Sequence, residues 1–170
     1  MKNAIKLLYH FIFKTKRRWL TVKTVFYAAV ARFRIYFFPG SKLHRYFGEA
    51  GRETGNEAPG DERSWIIFRV ADKVARVANR VPWESRCLVQ AMTAQRLLRD
   101  NHIESTLYLG VGRDKEADNQ MTAHAWLRCG PYSVCGGRGE GYAIVARFSM
   151  PCDGSTARTI RIKHKERQQA

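Results

Sequence analysis

One change of period constrains this chain more than anything else in it. From residue 65 to residue 100 apolar side chains recur at helical spacing, and from Ser105 onward they fall into short runs of strand composition broken by glycine and proline. Residues 65–81 set Ile67, Val70, Val74, Val77 and Val81 on one side and Arg69, Asp72, Arg76 and Arg80 on the other, until Pro82 ends the pattern. Residues 85–100 form a second helical segment. Its Cys87, Ala91, Ala94 and Leu98 share one stripe with Leu88 and Met92 beside it, which predicts burial around much of the circumference. Residues 105–111, 122–127, 132–134 and 143–148 then read as strands, separated by residues 112–120, by Gly130-Pro131 and by residues 136–141. Two helices followed by three or four strands, with no helix between the strands, predict an α+β domain with an antiparallel sheet. The 170 residues are about one domain's worth of chain.

Ahead of that unit, Leu8, Phe11, Ile12, Trp19, Val22, Phe26, Val30, Phe33 and Phe37 follow helical spacing with bases between them, until Pro39-Gly40. This predicts one long or two shorter amphipathic basic helices, packed on the neighbouring domain or a partner, or lying on anionic lipid. Glycine and charge then dominate up to residue 64 and offer no apolar face. The expected organisation is a basic helical extension at 1–48, a linker at 49–64, a folded core at 65–152 and a basic tail at 153–170.

The net charge of +15 suggests nucleic acid until it is divided along the chain. Residues 1–48 carry eleven Lys and Arg and no acid, and residues 154–170 carry five bases against Glu166. Residues 49–153 hold fourteen of each sign, so all the excess sits on the ends. A neutral centre with basic ends predicts a conventional core whose extensions meet an acidic partner protein, an anionic membrane or nucleic acid, the last the least expected of the three. Lysines and arginines interrupt the N-terminal apolar residues, leaving neither a secretory peptide nor a run near the roughly 18 residues that span a bilayer. With that reading, Cys87, Cys129, Cys135 and Cys152 are free thiols in a cytoplasmic protein, Cys129 and Cys135 being able to bridge only in an oxidising compartment.

Two residues carry chemistry. Cys87 falls in the first turn of its helix, with Ser85 available as N-cap, where unpaired N–H groups and the positive end of the dipole favour the nucleophilic thiolate. His124 lies where a polar loop passes into an apolar strand, Thr122-Ala123-His124-Ala125-Trp126-Leu127. Beside the Cys87 helix it could take the thiol proton and return it to a leaving amine. A small core cysteine and a structural histidine are the plainer readings of each residue alone. Cysteine at a helix start with histidine on a later strand is the arrangement of papain-like and transglutaminase-like enzymes.

The stretch Val81-Pro82-Trp83-Glu84-Ser85-Arg86-Cys87-Leu88-Val89-Gln90-Ala91, then Ser105-Thr106-Leu107-Tyr108-Leu109-Gly110-Val111, Ala123-His124-Ala125-Trp126-Leu127 and Gly136-Gly137, resembles the leader peptidases of lasso-peptide biosynthesis, stand-alone B proteins of the transglutaminase-like superfamily. The resemblance covers roughly residues 65–148. It implies a transglutaminase-like (papain-like) fold and a cysteine protease that cuts the leader from a ribosomally made precursor peptide, with Cys87 as nucleophile and His124 as base. It implies two further partners, a separate winged-helix leader-recognition protein and an ATP-dependent lasso cyclase. An acidic residue that orients the histidine is expected on the following strand, but residues 132–137 contain none. Glu140, Glu84, Ser133 or a backbone carbonyl are the remaining choices.

No metal or cofactor is expected. Cys87, His124, Cys129 and Cys135 lack zinc-site spacing, and there is no phosphate-binding glycine loop. Two other functions stay open: a thiol acyltransferase of the same fold, and a non-enzymatic basic module for nucleic acid or membrane in which Cys87 is incidental.

Overall fold

The computed structural model describes residues 16–82, 86–114 and 120–150. Helix α1 (Lys16–Phe37) stops before Pro39, and a short helix α2 (Gly40–Leu43) with a 3-10 turn (His44–Tyr46) leads into strand β1 (Glu49–Ala50). Helices α3 (Asp61–Ala78) and α4 (Cys87–Arg99) precede strands β2 (Ser105–Asp114), β3 (Gln120–Cys129), β4 (Tyr132–Cys135) and β5 (Ala143–Met150). The sheet order is β1-β5-β2-β3-β4, with every neighbouring pair antiparallel. This is the expected α+β class: a cysteine-bearing helix packed on an antiparallel sheet.

Element ends depart from the sequence reading for local reasons. Helix α3 begins four residues early, because Asp61 and Glu62 occupy its first turn, where the dipole favours carboxylates. Helix α4 begins at Cys87, not at residue 85; the N-cap position belongs to Arg86, and Ser85 lies outside the described residues. The β2–β3 ladder runs out to the Asp114–Gln120 pair, past the expected end at Val111, since backbone pairing does not require apolar side chains.

The segment expected to be a linker is part of the sheet and its covering. Glu49 and Ala50 pair with Ser149 and Phe148 of β5. The Thr54 amide donates to Thr106 Oγ1 at 2.9 Å, and the Arg128 guanidinium donates to Glu53 at 2.7 Å, to the Thr54 carbonyl at 3.1 Å and to Asn56 at 2.9 Å. Arg147 reaches Glu53 at 3.0 Å. Charges that read as solvation are partners for arginines far along the chain.

The N-terminal helix is likewise no separate extension. Ala28 and Ala31 of α1, with Leu43 and Phe47 after it, belong to one core with Ile67, Val70 and Val74 of α3 and with the inward side chains of the sheet. Helix α4 lies at the centre, touching α1, α3, β2, β3 and β4, and its Ala91, Ala94, Leu97 and Leu98 are wholly buried. Residues 1–15 of the extension and the tail at 153–170 lie outside the described residues, as does Cys152. No described helix is long and apolar enough to cross a membrane.

Candidate active site

Cys87 is the first helical residue of α4 and is half-buried. Among the described residues the N-cap position is Arg86, extended at φ −65 and ψ 166, and its side chain makes no cap bond. The first-turn N–H groups of a helix have no partner within the helix, and at this end they lie beside the thiol, where they suit a developing oxyanion.

Two other described thiols differ in environment. Cys129 is buried and donates to the Glu104 carbonyl at 3.0 Å, away from the start of α4. Cys135 ends β4 opposite Leu127, and burial pushes its thiol up to about 12. A thiolate at Cys87 adds to that rise, so the two sulfurs are electrostatic neighbours. Since only the thiolate attacks, Cys135 is silent at neutral pH, while Cys87 holds the helix start.

His124 is held from an unexpected side. Its Nε2 lies 2.7 Å from the carbonyl oxygen of Gly136, and its ring stacks against Tyr142 with centroids 4.8 Å apart and against Trp126 at 6.0 Å. A carbonyl can only accept, so Nε2 carries the proton, and the lone pair of the neutral ring sits on Nδ1. The ring is thus oriented as a base through Nδ1. Glycine is required at 136 because φ is +77 there and a Cβ would lie 2.4 Å from the Ala125 carbonyl. A main-chain carbonyl orients the histidine where an acidic side chain was expected.

The other candidates for that role lie elsewhere. Ser133 donates to the Gly137 carbonyl, Glu140 is exposed, and Glu84 is outside the described residues. Residue-type patterns cannot reveal a carbonyl, since every residue has one; the only sequence signal was the glycine run that starts at Gly136.

Cys87 and His124 are not in hydrogen-bond contact. Along β3, Ala125, Leu127 and Cys129 turn into the core toward the helices, whereas His124, Trp126 and Arg128 share the far face with Tyr108 and Tyr142. Between the two lies the dipeptide Cys135-Gly136: Cys135 is within electrostatic range of Cys87, and the Gly136 carbonyl faces His124. Among the described residues no three His, Cys, Asp or Glu side chains converge as a metal site would require.

A family model described as the transglutaminase-like superfamily matches residues 24–147. That span starts within α1 and takes in both Cys87 and His124. No curated protein and no solved structure matches the chain.

Proposed function

The chain belongs to the transglutaminase-like superfamily, which accommodates cysteine peptidases and acyltransferases, and on that premise we propose that it is a leader peptidase of lasso-peptide biosynthesis, with Cys87 as nucleophile and His124 as general base. The observation that carries the chemistry is the 2.7 Å contact of His124 Nε2 with the Gly136 carbonyl, which leaves Nδ1 to accept a proton. This reading requires the thiol and the ring, which are not in contact in the free chain, to come within hydrogen-bond reach when substrate binds. The Cys87 proton passes to Nδ1, and the thiolate sulfur adds to the scissile carbonyl. The tetrahedral oxyanion meets the N–H groups at the α4 start. Collapse breaks the C–N bond and expels the amine of the core peptide, which takes the proton from His124 and leaves the leader as a thioester on Cys87. Water, deprotonated by the same ring, then cleaves the thioester and regenerates the thiol.

The remaining parts of the reading concern partners. Among the described residues, α1 and the turns after it pack into the core of the domain. We assign leader capture to a separate protein and ring closure to the ATP-dependent cyclase. The test combines this chain, a cognate precursor and the candidate leader-binding protein, with products followed by mass spectrometry. Site-specific cleavage that needs the second protein and is lost in Cys87→Ala supports the reading. Cleavage by Cys87→Ala would overturn it. An amide product with an added amine, in place of a free acid, would assign the acyltransferase alternative.

A further inference from the structure

Helix α1 has two apolar faces, and the core uses one of them. Leu20, Thr24, Ala28, Ala31 and Ile35 turn inward. On the other side Trp19, Val22, Phe26, Phe33, Tyr36 and Phe37 form one continuous stripe about 27 Å long, with exposures from 40% at Val22 to 79% at Tyr36. At 100° per residue Arg18 and Arg32 border that stripe on one side, and Lys23 and Arg34 on the other; the helix contains no acid. An exposed aromatic band of this size is uncommon on a monomer with no interface to make.

A basic groove adjoins it. Between α1, α4 and the turn before β1 lies a cavity of about 590 Å³ that shares Phe26 with the stripe and is lined by Arg34, Arg45, Arg96 and Arg99 against one carboxylate, Glu49. Arg34 is stacked over the Tyr46 ring at 4.0 Å, which fixes a guanidinium at the groove wall. Four guanidiniums beside an aromatic band match a surface that is apolar below and phosphate-bearing above.

We propose that the exposed face of α1 lies in the interface of an anionic bilayer, its aromatic side chains among the acyl chains and the groove arginines on lipid phosphates. Charge decides among occupants. A second copy would set the same bases against one another with no acid on the helix to relieve them. A nucleic acid would need bases along the centre of the contact, where this face has Val22, Phe26 and Phe33. Bases at the rim, aromatics at the centre and a basic N-terminal 48 residues are the pattern of an interfacial helix. The inference does not rest on the peptidase reading.

The test is co-sedimentation of the full chain with vesicles of phosphatidylcholine containing about one-third phosphatidylglycerol, at low salt. We expect association with these vesicles and little with pure phosphatidylcholine. Phe26→Ser/Phe33→Ser/Phe37→Ser should lower partitioning about a hundredfold, while Met121→Ser, at a still more exposed site on the sheet, leaves it unchanged. Arg45→Gln/Arg99→Gln should lower it about tenfold and flatten its salt dependence. Independently of whether the triple variant folds, brominated lipid should quench the wild-type tryptophan emission, and Trp19→Phe should remove most of that quenching. Absence of binding to the anionic vesicles, or binding unchanged in a folded triple variant, would overturn the proposal. So would a lipid-free dimer that the triple variant dissociates, or a short nucleic-acid duplex that binds this face more tightly than the vesicles.

Discussion

The two ends of α4 are built in opposite ways. At the C-terminal end every device is spent on closure. The Asp100 amide bonds back to the Arg96 carbonyl and the Asn101 amide to that of Leu98, the Asn101 side chain donates to the Leu97 carbonyl at 2.7 Å, and His102 takes a left-handed φ of 55 so that the Ile103 amide can reach Leu98. The Asp100 carboxylate receives Lys23 at 2.6 Å and the Tyr27 hydroxyl at 2.7 Å, tying α1 to α4. At the N-terminal end the N-cap residue among the described residues, Arg86, makes no side-chain cap bond, and the first helical residue is a half-buried cysteine. A missing cap commonly costs about 1 kcal/mol. The contrast teaches that stabilising contacts are concentrated at one end of the helix, while the proposed nucleophile stands at the other.

Substitutions at the two ends should therefore move different observables. Cys87→Ala is expected to remove at least about a thousandfold of turnover while leaving the urea midpoint nearly unchanged; iodoacetamide should label Cys87 before Cys135, whose thiol stays protonated. A large stability loss in Cys87→Ala would erase the contrast. His124→Ala should cost about 10²- to 10⁴-fold in turnover. Gly136→Ala acts through the ring, by displacing the carbonyl that holds Nε2. Its turnover should fall about ten- to a hundredfold, and nitrogen NMR of His124 should show the Nε2–H tautomer losing its dominance. Wild-type tautomer balance in Gly136→Ala would remove the carbonyl from the positioning role.

At the other end Asp100→Ala should lower stability by about 2 kcal/mol, because it removes charge-assisted bonds to a largely buried carboxylate, and should leave turnover per folded molecule unchanged. Burial tends to raise the Asp100 carboxyl, but Lys23 and Tyr27 outweigh it and hold the group below its ordinary 3.8. A depressed folded value means that the stabilisation is fully present above 3.8 and is lost as pH falls through the lower folded value. The gap between wild type and Asp100→Ala should narrow on acidification. Glu53→Gln is the smallest expected effect, about 0.5 kcal/mol, because its carboxylate is well exposed and solvent screens its arginines. The Tyr108 hydroxyl, then Arg128 and Arg147, hold Glu53 below 4.5, so this difference too should vanish in acid. A Glu53→Gln loss rivalling that of Asp100→Ala would show the 49–60 segment to be a main stabilising element.

Much of the cysteine-bearing helix was legible because periodicity is a local property. The burial of Ala91, Ala94 and Leu98, the position of Cys87 in the first turn and the strand around His124 all follow from spacing within one element. The linker was misread for the same reason. Glycine and acid between residues 48 and 64 look solvated until Arg128 and Arg147, some 75 and 94 residues beyond Glu53, supply the opposite charge. Helix α1 was legible as an amphipathic basic helix, but its pattern could not say that one apolar face would be buried and the other left bare.

By itself, then, the amino-acid order determined the α+β class, the helix that carries Cys87 and the strand that carries His124, since each depends on backbone preferences and apolar spacing over fewer than 20 residues. Only the tertiary structure decided that the Gly136 carbonyl holds His124, that burial raises the Cys135 thiol, and that Glu49–Ala50 extends the sheet. Those features depend on desolvation, on main-chain atoms common to every residue and on partners distant in sequence. None of these has a local signature.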